Sequence, residues 1–335
     1  MIFPAPTFNH LRDLTDAGGL YEHADRTTVR REHGYCVDDV ARALVVVCRS
    51  DDRHDDLRRQ YLEFVLAAQS TDGRFRNRRD IDLAWSDEPS VDDCWGRALW
   101  GLGTAASAPG CDDLRPAALA AFERGATHRS PWSRAMAFAG LGAAEVLRTQ
   151  PGHLGARALL ADAARHVGRP SYDEVWPWPE PRLTYANAAL PEVLMAAGAA
   201  LDLPLVTVDG LMLLGWLLDV QTRDGHLSVV PVGGRGPMDA IGGFDQQPIE
   251  VAAVADACAR AFALTDDPRW RDGVERAAAW FLGSNDANTS LLDPATGGGC
   301  DGLERHGRNE NQGAESTLAL LSTLQHARAL ALVDA

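Results

Sequence analysis

The sequence GGGCDGLERHGRNENQGAEST, residues 297–317, decides the fold because it sets a dense polar loop directly before an apolar helix. Its glycines let the backbone approach other groups closely, and its Asn, Glu, Gln, Ser and Thr side chains supply many hydrogen-bonding groups. The segment that follows, residues 314–327, repeats leucine at helical spacing: Leu318, Leu320, Leu321 and Leu324. That spacing is typical of a helix buried on most sides.

The same order, a polar cluster and then an apolar helix rich in small residues, recurs along the chain. Six copies occur, with polar clusters at residues 37–39, 91–93, 130–132, 185–187, 245–248 and 309–317. We predict an inner helix after each cluster. A helix of the outer type, such as the one with a charged face at residues 55–69, follows each of the first five. The chain therefore divides into helical hairpins at 37–69, 91–127, 131–167, 183–221 and 246–283.

The two ends of the chain supply the last hairpin. The inner helix at 314–327 has no partner after it, and the short amphipathic helix predicted at residues 7–17, stopped by Gly18-Gly19, has no partner of its own. Pairing them closes a ring of six hairpins, whereas an open solenoid would leave two exposed ends. We predict an all-α (α/α)6 barrel, a six-hairpin toroid that residues 1–335 form as a single domain.

Two similar loop sequences support the internal repeat. QSTDGRF at residues 69–75 and QTRDGHL at residues 221–227 each follow a predicted outer helix. Asp-Gly favours a tight turn, and the apolar residue after it can begin a short extended piece. The loops of the barrel are therefore expected to contain short extended segments.

Composition and charge narrow the class of partner. With 46% apolar and 24% charged residues the chain is an ordinary globular protein, and its net charge of −15 argues against nucleic acid or an anionic membrane. No apolar stretch of about 18 residues and no signal-peptide pattern is present, so we expect a cytoplasmic protein. Neither a nucleotide-binding motif nor a metal-binding motif occurs, so we predict no cofactor and no metal.

The six cysteines show neither CxxC nor zinc-finger spacing. Three of them, Cys48, Cys94 and Cys258, fall within apolar helical segments. A free thiol in such a position behaves as a small hydrophobic group. We predict these three to be buried free thiols.

Two motifs carry a resemblance to known proteins. GYCVDDVARAL at 34–44, and DGL at 301–303 with NQGAEST at 311–317, are similar to segments of bacterial glycosyltransferase-associated or glycosidase-like proteins. With its six hairpins, the chain also resembles the six-hairpin glycosidase superfamily. These (α/α)6 barrels include inverting glycoside hydrolases, unsaturated-uronyl hydrolases and sugar epimerases. The resemblance implies an oligosaccharide or polysaccharide substrate and, for a hydrolase, inversion.

Candidate catalytic groups follow from the chemistry of glycoside cleavage, which needs one acid to protonate the leaving oxygen and one carboxylate to activate water. In the predicted ring the inner helices run parallel, so their polar clusters meet at one end and carboxylates at the helix starts converge there. The candidates are Asp39, Asp93, Glu180, Glu250, Asp301 and Glu315.

The paired aspartates also have a structural interpretation. Adjacent helical residues point about 100° apart, so Asp39 and Asp93 can face the pocket while the residue before each one caps the helix or binds substrate. Alternatively, ion pairs four residues apart could use these carboxylates, Asp38 with Arg42 and Asp93 with Arg97.

Substrate contacts are expected from aromatic and amide side chains. The segment WPWPEP at 176–181 is rigid, and its tryptophans could stack on sugar rings or, alternatively, plug one end of the barrel. The predicted substrate-binding residues are Asp38, Asp92, Trp95, Trp132, Trp176, Trp178, Tyr185, Asn187, Gln247, Asn311 and Gln312.

Three functions are compatible with these residues. The favoured prediction is a glycoside hydrolase with a paired-carboxylate acid and base. A sugar epimerase or isomerase of the same fold is the second, but similar epimerases use histidines, and His33 and His306 follow no pattern here. The third is a non-catalytic carbohydrate-binding module associated with a glycosyltransferase.

Overall fold

The computed structural model describes residues 3–52, 54–239 and 242–333. Within them lie twelve α-helices: α1 Asn9–Asp13, α2 Val37–Arg49, α3 Asp55–Ala68, α4 Asp93–Ser107, α5 Arg115–Gly125, α6 Ser133–Thr149, α7 Leu154–Val167, α8 Ala189–Ala200, α9 Pro204–Val220, α10 Pro248–Thr265, α11 Pro268–Phe281 and α12 Ala314–Val333. None of these helices is long and apolar enough to cross a lipid bilayer.

Short antiparallel strand pairs occupy the loops, as expected. The pairs are β1 Thr15–Asp16 with β2 Gly19–Leu20, β3 Ala24–Asp25 with β4 Thr28–Val29, β5 Tyr35–Cys36 with β6 Arg78–Arg79, β7 Thr222–Arg223 with β8 His226–Leu227, and β9 Gly302–Glu304 with β10 Gly307–Asn309. A single 3₁₀ turn, Arg31–His33, precedes β5.

The helices form two concentric rings. The even-numbered helices α2 to α12 make the inner ring, in which each packs against the next and α12 returns to α2. The odd-numbered helices lie outside, with α3, α5, α7, α9 and α11 each against the helix before it and α1 against α12. The predicted all-α (α/α)6 barrel is confirmed, including the pairing of the first and last helices.

Small residues let the inner helices approach closely. A Cβ added at Gly103 of α4 would lie 2.2 Å from the carbonyl oxygen of Gly142 on α6. Only glycine permits such a backbone contact. Large side chains instead fill the layer between the rings, where Trp95 of α4 and Phe122 of α5 are fully buried.

The N-terminal segment corrects one prediction. A helix was expected over residues 7–17, but only Asn9–Asp13 is helical, and the chain then turns back as the β1–β2 hairpin. The backbone N–H of Gly18 donates to Asp16 Oδ1 over 2.8 Å and stabilises that turn. Leu11 and Leu14 are nevertheless buried, as the amphipathic pattern predicted. At the other end, α12 continues past residue 327 to Val333.

The tight turn expected at the repeated Asp-Gly pair is confirmed most clearly in the second copy, at residues 221–227. Asp224 and Gly225 have φ values of 49° and 85°, so both central residues are left-handed. Such a pair matches the twist of a two-residue hairpin, here β7–β8. In the first copy only an isolated bridge forms, between Gln69 and Phe75.

Cysteine burial agrees with the sequence. All six cysteines are buried free thiols, including the three that were predicted. Two of them, Cys48 and Cys111, lie with their sulfur atoms 3.6 Å apart between α2 and the loop after α4.

Candidate active site

The inner helices begin at a common end of the barrel, and a two-lobed cleft opens there. The Asp39 lobe has a volume of about 300 Å³ and is lined by Glu22, His23, Cys36, Asp38, Asp39, Arg42, Arg78, Gln247, Asp301, Gly313, Glu315 and Ser316. The Tyr185 lobe has a volume of about 690 Å³ and is lined by Asp38, Asn77, Arg78, Asp87, Ser90, Asp92, Asp93, Cys94, Pro131, Trp132, Ser133, Arg134, Glu180, Thr184 and Tyr185. Asp38 and Arg78 belong to both lobes.

Arg42 of α2 links two carboxylates in the Asp39 lobe. One terminal nitrogen donates to Asp39 Oδ1, and the other donates to Glu315 Oε2 at 2.9 Å. The Asp39 side chain is almost completely buried, whereas 39% of the Glu315 side chain is exposed. The expected ion pair between Asp38 and Arg42 is replaced by this arrangement, and Arg42 Nε donates only to the backbone oxygen of Asp38.

The pKa values of Asp39 and Glu315 are shifted in opposite directions from their ordinary values. Burial raises the pKa of Asp39 to about 7, helped by the negative charges of Glu315 and Glu22 and opposed by Arg42. Burial would also raise the pKa of Glu315, but the positive charges of Arg42 and Arg97 outweigh it, so the pKa is lowered. One group is thus suited to keep a proton near neutral pH, and the other is suited to lose it.

Glu22 is an acidic neighbour that sequence reasoning missed. A Glu22 carboxylate oxygen, an Asp39 carboxylate oxygen and Cys36 Sγ all lie within 4.8 Å of one another. Arg78 donates to Glu22 as Arg42 does to Asp39, and burial holds the pKa of the Cys36 thiol well above its usual value. This donor set fits a metal poorly because both carboxylates are already paired with arginines and burial disfavours the thiolate form that binds a metal.

Asp301 and Gln247 complete the Asp39 lobe. The carboxylate of Asp301 accepts a hydrogen bond of 2.8 Å from the backbone N–H of Gly313, just before α12. Burial raises the pKa of Asp301. Asp301 therefore lines the lobe but also holds the start of α12. Gln247 lies at the start of α10, where it is the N-cap residue.

Asp38 lies at the junction of the lobes. Its Oδ2 accepts from Asn77 Nδ2 at 3.1 Å, and its Oδ1 lies 3.5 Å from Arg97 Nε. Burial raises the pKa of Asp38, while the positive charges of Arg97 and Arg42 oppose that rise. The expected pair of Asp93 with Arg97 does not form, because Arg97 lies against Asp38 instead.

Aromatic side chains held by aspartates form the mouth of the Tyr185 lobe. Tyr185 donates its hydroxyl proton to Asp93 Oδ2 over 2.5 Å, and Trp132 donates from Nε1 to Asp92 Oδ1 over 3.0 Å. The Trp132 ring is 58% exposed. Fixed rings of this kind can stack on a flat apolar ligand face.

A buried polar chain supports the Tyr185 lobe from behind. Arg134 donates to Glu180 and, over 2.8 Å, to Asn187 Oδ1. Asn187 Nδ2 in turn donates to Glu250 Oε2 over 2.8 Å, and burial raises the pKa of Glu250 to about 7. Glu250 and Asn187 therefore lie outside both lobes, which corrects their expected placement in the pocket.

Solved structures share this architecture. No family model matches the chain, and no curated protein matches it. A sugar epimerase from a ruminal bacterium superposes with a TM-score of 0.71 at 10% identity and covers 95% of each chain. The cellobiose 2-epimerase of Bacillus thermoamylovorans gives 0.69 at 11% identity over 96% of each chain. The GH76 alpha-mannanase of Bacteroides thetaiotaomicron gives 0.66 at 11% identity over 97% of this chain and 94% of that one.

The chain shares the (α/α)6 barrel fold of these proteins. At these identities the likeness concerns the fold, so the chemistry has to be argued from the lobes themselves.

Three predicted tryptophans lie outside the lobes of this six-hairpin barrel. Trp176 and Trp178 pack around Trp216 of α9, with ring centroids 5.2 Å and 5.9 Å away. Trp95 points into the layer between the rings, where its Nε1 donates to the oxygen of Gly125 over 3.0 Å. Their expected place in the pocket is corrected, because these large apolar rings contribute more by burial in the core.

Two predicted amides are also used elsewhere. Asn311 Oδ1 accepts from the backbone N–H of Arg26 over 2.9 Å, so it joins two loops. Gln312 is buried, and its Nε2 donates to Asp293 Oδ2 over 2.7 Å. Both side chains hold the loop before α12 in shape rather than facing the cleft.

The residues that sequence reasoning missed are mainly cations: Arg42, Arg78, Arg97 and Arg134. In the sequence, Arg42 and Arg97 stood out only as possible partners in ion pairs along a helix. Arg78 lies in the two-residue strand β6 and Glu22 in a bend before β3, and no local pattern places such short segments at the cleft. The signal that could have found Arg42 is its position one helical turn after Asp39, on the same face of α2.

Proposed function

We propose that this protein is a glycoside hydrolase that cleaves a neutral oligosaccharide or polysaccharide in the two-lobed cleft. The observation that carries the proposal is the pair of carboxylates on Arg42, whose pKa values are shifted in opposite directions. An acid and a base of this kind are what hydrolysis of a glycosidic bond requires.

Asp39 has the properties of the general acid. Its pKa of about 7 keeps a large fraction protonated at neutral pH, and its side chain lines the lobe. A catalytic acid works best when its pKa lies near the working pH. In the proposed step, Asp39 gives its proton to the glycosidic oxygen as the bond to the anomeric carbon breaks.

Glu315 has the properties of the general base. Arg42 and Arg97 hold its pKa below the ordinary value, so it is ionised at neutral pH, and its exposed edge can reach water. In the proposed step, Glu315 removes a proton from the water that attacks the anomeric carbon. We propose inversion, which the six-hairpin hydrolases favour and which requires the two carboxyl groups to lie about 6.5–9.5 Å apart across the substrate.

The charge of the cleft lining favours a neutral glycan as the substrate. Nine carboxyl side chains and three guanidinium groups line the two lobes together. The excess of negative charge repels uronic acids and sulfated sugars. Trp132 at the mouth offers a ring for stacking, and Arg78, between the lobes, offers donors for hydroxyl groups.

Screening with neutral glycans tests the proposal. The wild-type protein is expected to release reducing ends from at least one glycan, and proton NMR is expected to show the inverted anomer first. Asp39→Asn and Glu315→Gln should each lower kcat by about a hundredfold or more, the range of general acid–base catalysis, while glycan binding persists. Asp113→Asn, an exposed carboxylate paired with Arg59 on the outer surface, is the matched control and should keep full activity. Binding without turnover on every glycan would instead indicate a carbohydrate-binding module.

A sugar epimerase or isomerase is the second candidate, and one observation favours it. His23 lines the Asp39 lobe, and its ring lies 4.8 Å from that of His33 in an edge-on contact. Two neighbouring histidines could act as acid and base on a free sugar, and several of the solved structures of this fold are epimerases. Conversion of a reducing monosaccharide or disaccharide to its epimer, lost in His23→Ala, would establish this candidate in place of the hydrolase.

A further inference from the structure

The outer helix α9 carries a row of apolar side chains on its exposed side. Leu205, Val208 and Met212 are 71%, 56% and 51% exposed, and the half-buried ring of Trp216 continues the row. Successive members lie three or four residues apart, which places them on one face of the helix. The outside of α9 is therefore a continuous apolar stripe.

Comparison with another outer helix shows that this stripe is unusual. Helix α3 has five exposed residues, of which four are charged: Asp55, Asp56, Arg59 and Glu63. Of the two charged residues of α9, Asp209 is buried and only Asp219 is exposed. A helix that is apolar on both its inner and its outer side is normally buried on both sides. The composition of α9 therefore calls for a second contact, outside the barrel.

The segment between α7 and α8 widens the stripe. Trp216 donates from Nε1 to the carbonyl oxygen of Val175 over 3.3 Å, so this segment lies against the C-terminal half of α9. Val175 is 76% exposed and Tyr172 is completely exposed. We call the combined surface the α9 patch; its residues are Tyr172, Val175, Leu203, Leu205, Val208, Met212 and Trp216.

The exposed area of the α9 patch equals what a homodimer interface needs. When fully exposed, an aliphatic side chain of this size offers roughly 100 Å² of apolar surface and a tyrosine side chain roughly 200 Å². Scaled by the exposed fractions, the patch offers about 500 Å². A standard interface buries about 800 Å² on each partner, of which about 65% is apolar in homodimers, so about 500 Å² is required.

The charges beside the patch let two copies of an acidic chain meet there. The net charge of −15 makes most faces of two copies repel each other. On α9, however, Asp209 accepts from Arg169 Nε and Asp219 accepts from Arg269 Nη2, both over 3.0 Å. Both carboxylates of α9 are thus neutralised. The same pairing occupies the two arginines, which disfavours an anionic lipid surface as the occupant.

We propose that the α9 patch is the interface of a two-fold symmetric homodimer, in which α9 of one copy packs against α9 of the other. A two-fold interface uses the same surface on both copies, so that surface must complement itself. A straight row of apolar side chains at spacings of three and four residues does so, as in the seam between two paired helices. The proposal goes beyond the hydrolase, because the residues of the α9 patch belong to the lining of neither lobe.

Sedimentation equilibrium of the full chain tests the proposal. The wild-type protein is expected to have twice the mass of one chain at micromolar concentration. Val208→Asp and Met212→Asp each place a carboxylate from both copies in the interface and should weaken the dimer by about a hundredfold or more. Leu332→Asp is the matched control: it makes the same kind of change at a 61% exposed position near the end of α12 and should leave the dimer intact. Circular dichroism checks that each variant is folded.

Cross-linking locates the interface independently. The six native cysteines are buried, so Met212→Cys adds an exposed thiol to a chain whose other thiols are covered. A bifunctional maleimide should join two chains of the Met212→Cys variant at micromolar concentration. It should not join two chains of the Leu332→Cys variant.

Three results would overturn the proposal, and none of them touches the hydrolase. One is a wild-type protein that keeps the mass of a single chain up to about 100 μM. Another is a dimer that both aspartate variants leave intact, because its interface would then lie on a different face. The third is a single chain that sediments with phosphatidylcholine–phosphatidylserine vesicles and loses this binding in Met212→Asp, which would assign the α9 patch to a membrane surface.

Discussion

Asp39→Asn should stabilise the protein increasingly as the pH rises, because a buried acid whose pKa is raised opposes folding once it ionises. Burial raises the pKa of Asp39 from 3.8 to about 7. Between these values the folded chain binds a proton that the unfolded chain has lost. The free energy of unfolding therefore falls as pH rises through this window, and the contribution of neutral Asp39 is complete only below the unfolded pKa.

The magnitude follows from the size of the shift. One pKa unit corresponds to about 1.36 kcal/mol, so a shift of about three units changes the relative stability of wild type and variant by about 4 kcal/mol between pH 4 and pH 8. Asparagine keeps an oxygen that can accept the hydrogen bond from Arg42, so the variant loses little of that contact. All other titrating groups are shared and cancel in the difference.

Urea denaturation of both proteins at pH 4, 5, 6, 7 and 8, followed by circular dichroism, measures this difference. Asp113→Asn, on the exposed surface, is the control and should show no comparable trend. A difference between Asp39→Asn and wild type that stays constant from pH 5 to pH 8 would refute the reasoning. It would mean that Asp39 does not change its protonation state near neutral pH, and a pKa of about 7 would be wrong.

Three further predictions concern other residues in and behind the cleft. Arg42→Gln removes the cation that lowers the pKa of both Asp39 and Glu315. Both limbs of the pH profile of glycan cleavage should therefore move to higher pH by about one to two units, and an unmoved acidic limb would contradict this. Trp132→Ala should raise KM by about fivefold to tenfold with little change in kcat, because the ring that Asp92 holds is exposed at the mouth of the Tyr185 lobe. Trp132→Phe should recover most of the affinity, and an unchanged KM in Trp132→Ala would exclude stacking. Glu250→Gln should raise the urea midpoint at pH 8 but not at pH 5, because burial raises the pKa of Glu250 to about 7. Equal changes at both pH values would show that Glu250 does not titrate between them.

The sequence by itself determined the helical hairpins. Small apolar residues at helical spacing, each preceded by a polar cluster, are local features, and such features specify where a helix begins and which side is buried. The close contact between Gly103 of α4 and Gly142 of α6, in contrast, appeared only in the structure. Ring closure followed because one inner and one outer helix were left over at the two ends of the chain.

Local pattern was a weaker guide to the site. Asp39 and Glu315 were correctly placed at the cleft because the starts of parallel inner helices must share one end of a ring. The tryptophans at 176 and 178 were misplaced, because an aromatic residue has the same sequence signature whether it stacks on a sugar or on Trp216.

Only the tertiary structure decided how the charges are paired. Arg42 stands one turn from Asp39 but 273 positions from Glu315, and Glu22 reaches Asp39 from an irregular loop. A pKa depends on burial and on every charge nearby, and both are set by segments distant in the chain. The sequence therefore placed Asp39 and Glu315 at one end of the barrel, and three-dimensional contact decided that Glu22 joins them, that Glu250 does not, and in which direction each pKa is shifted.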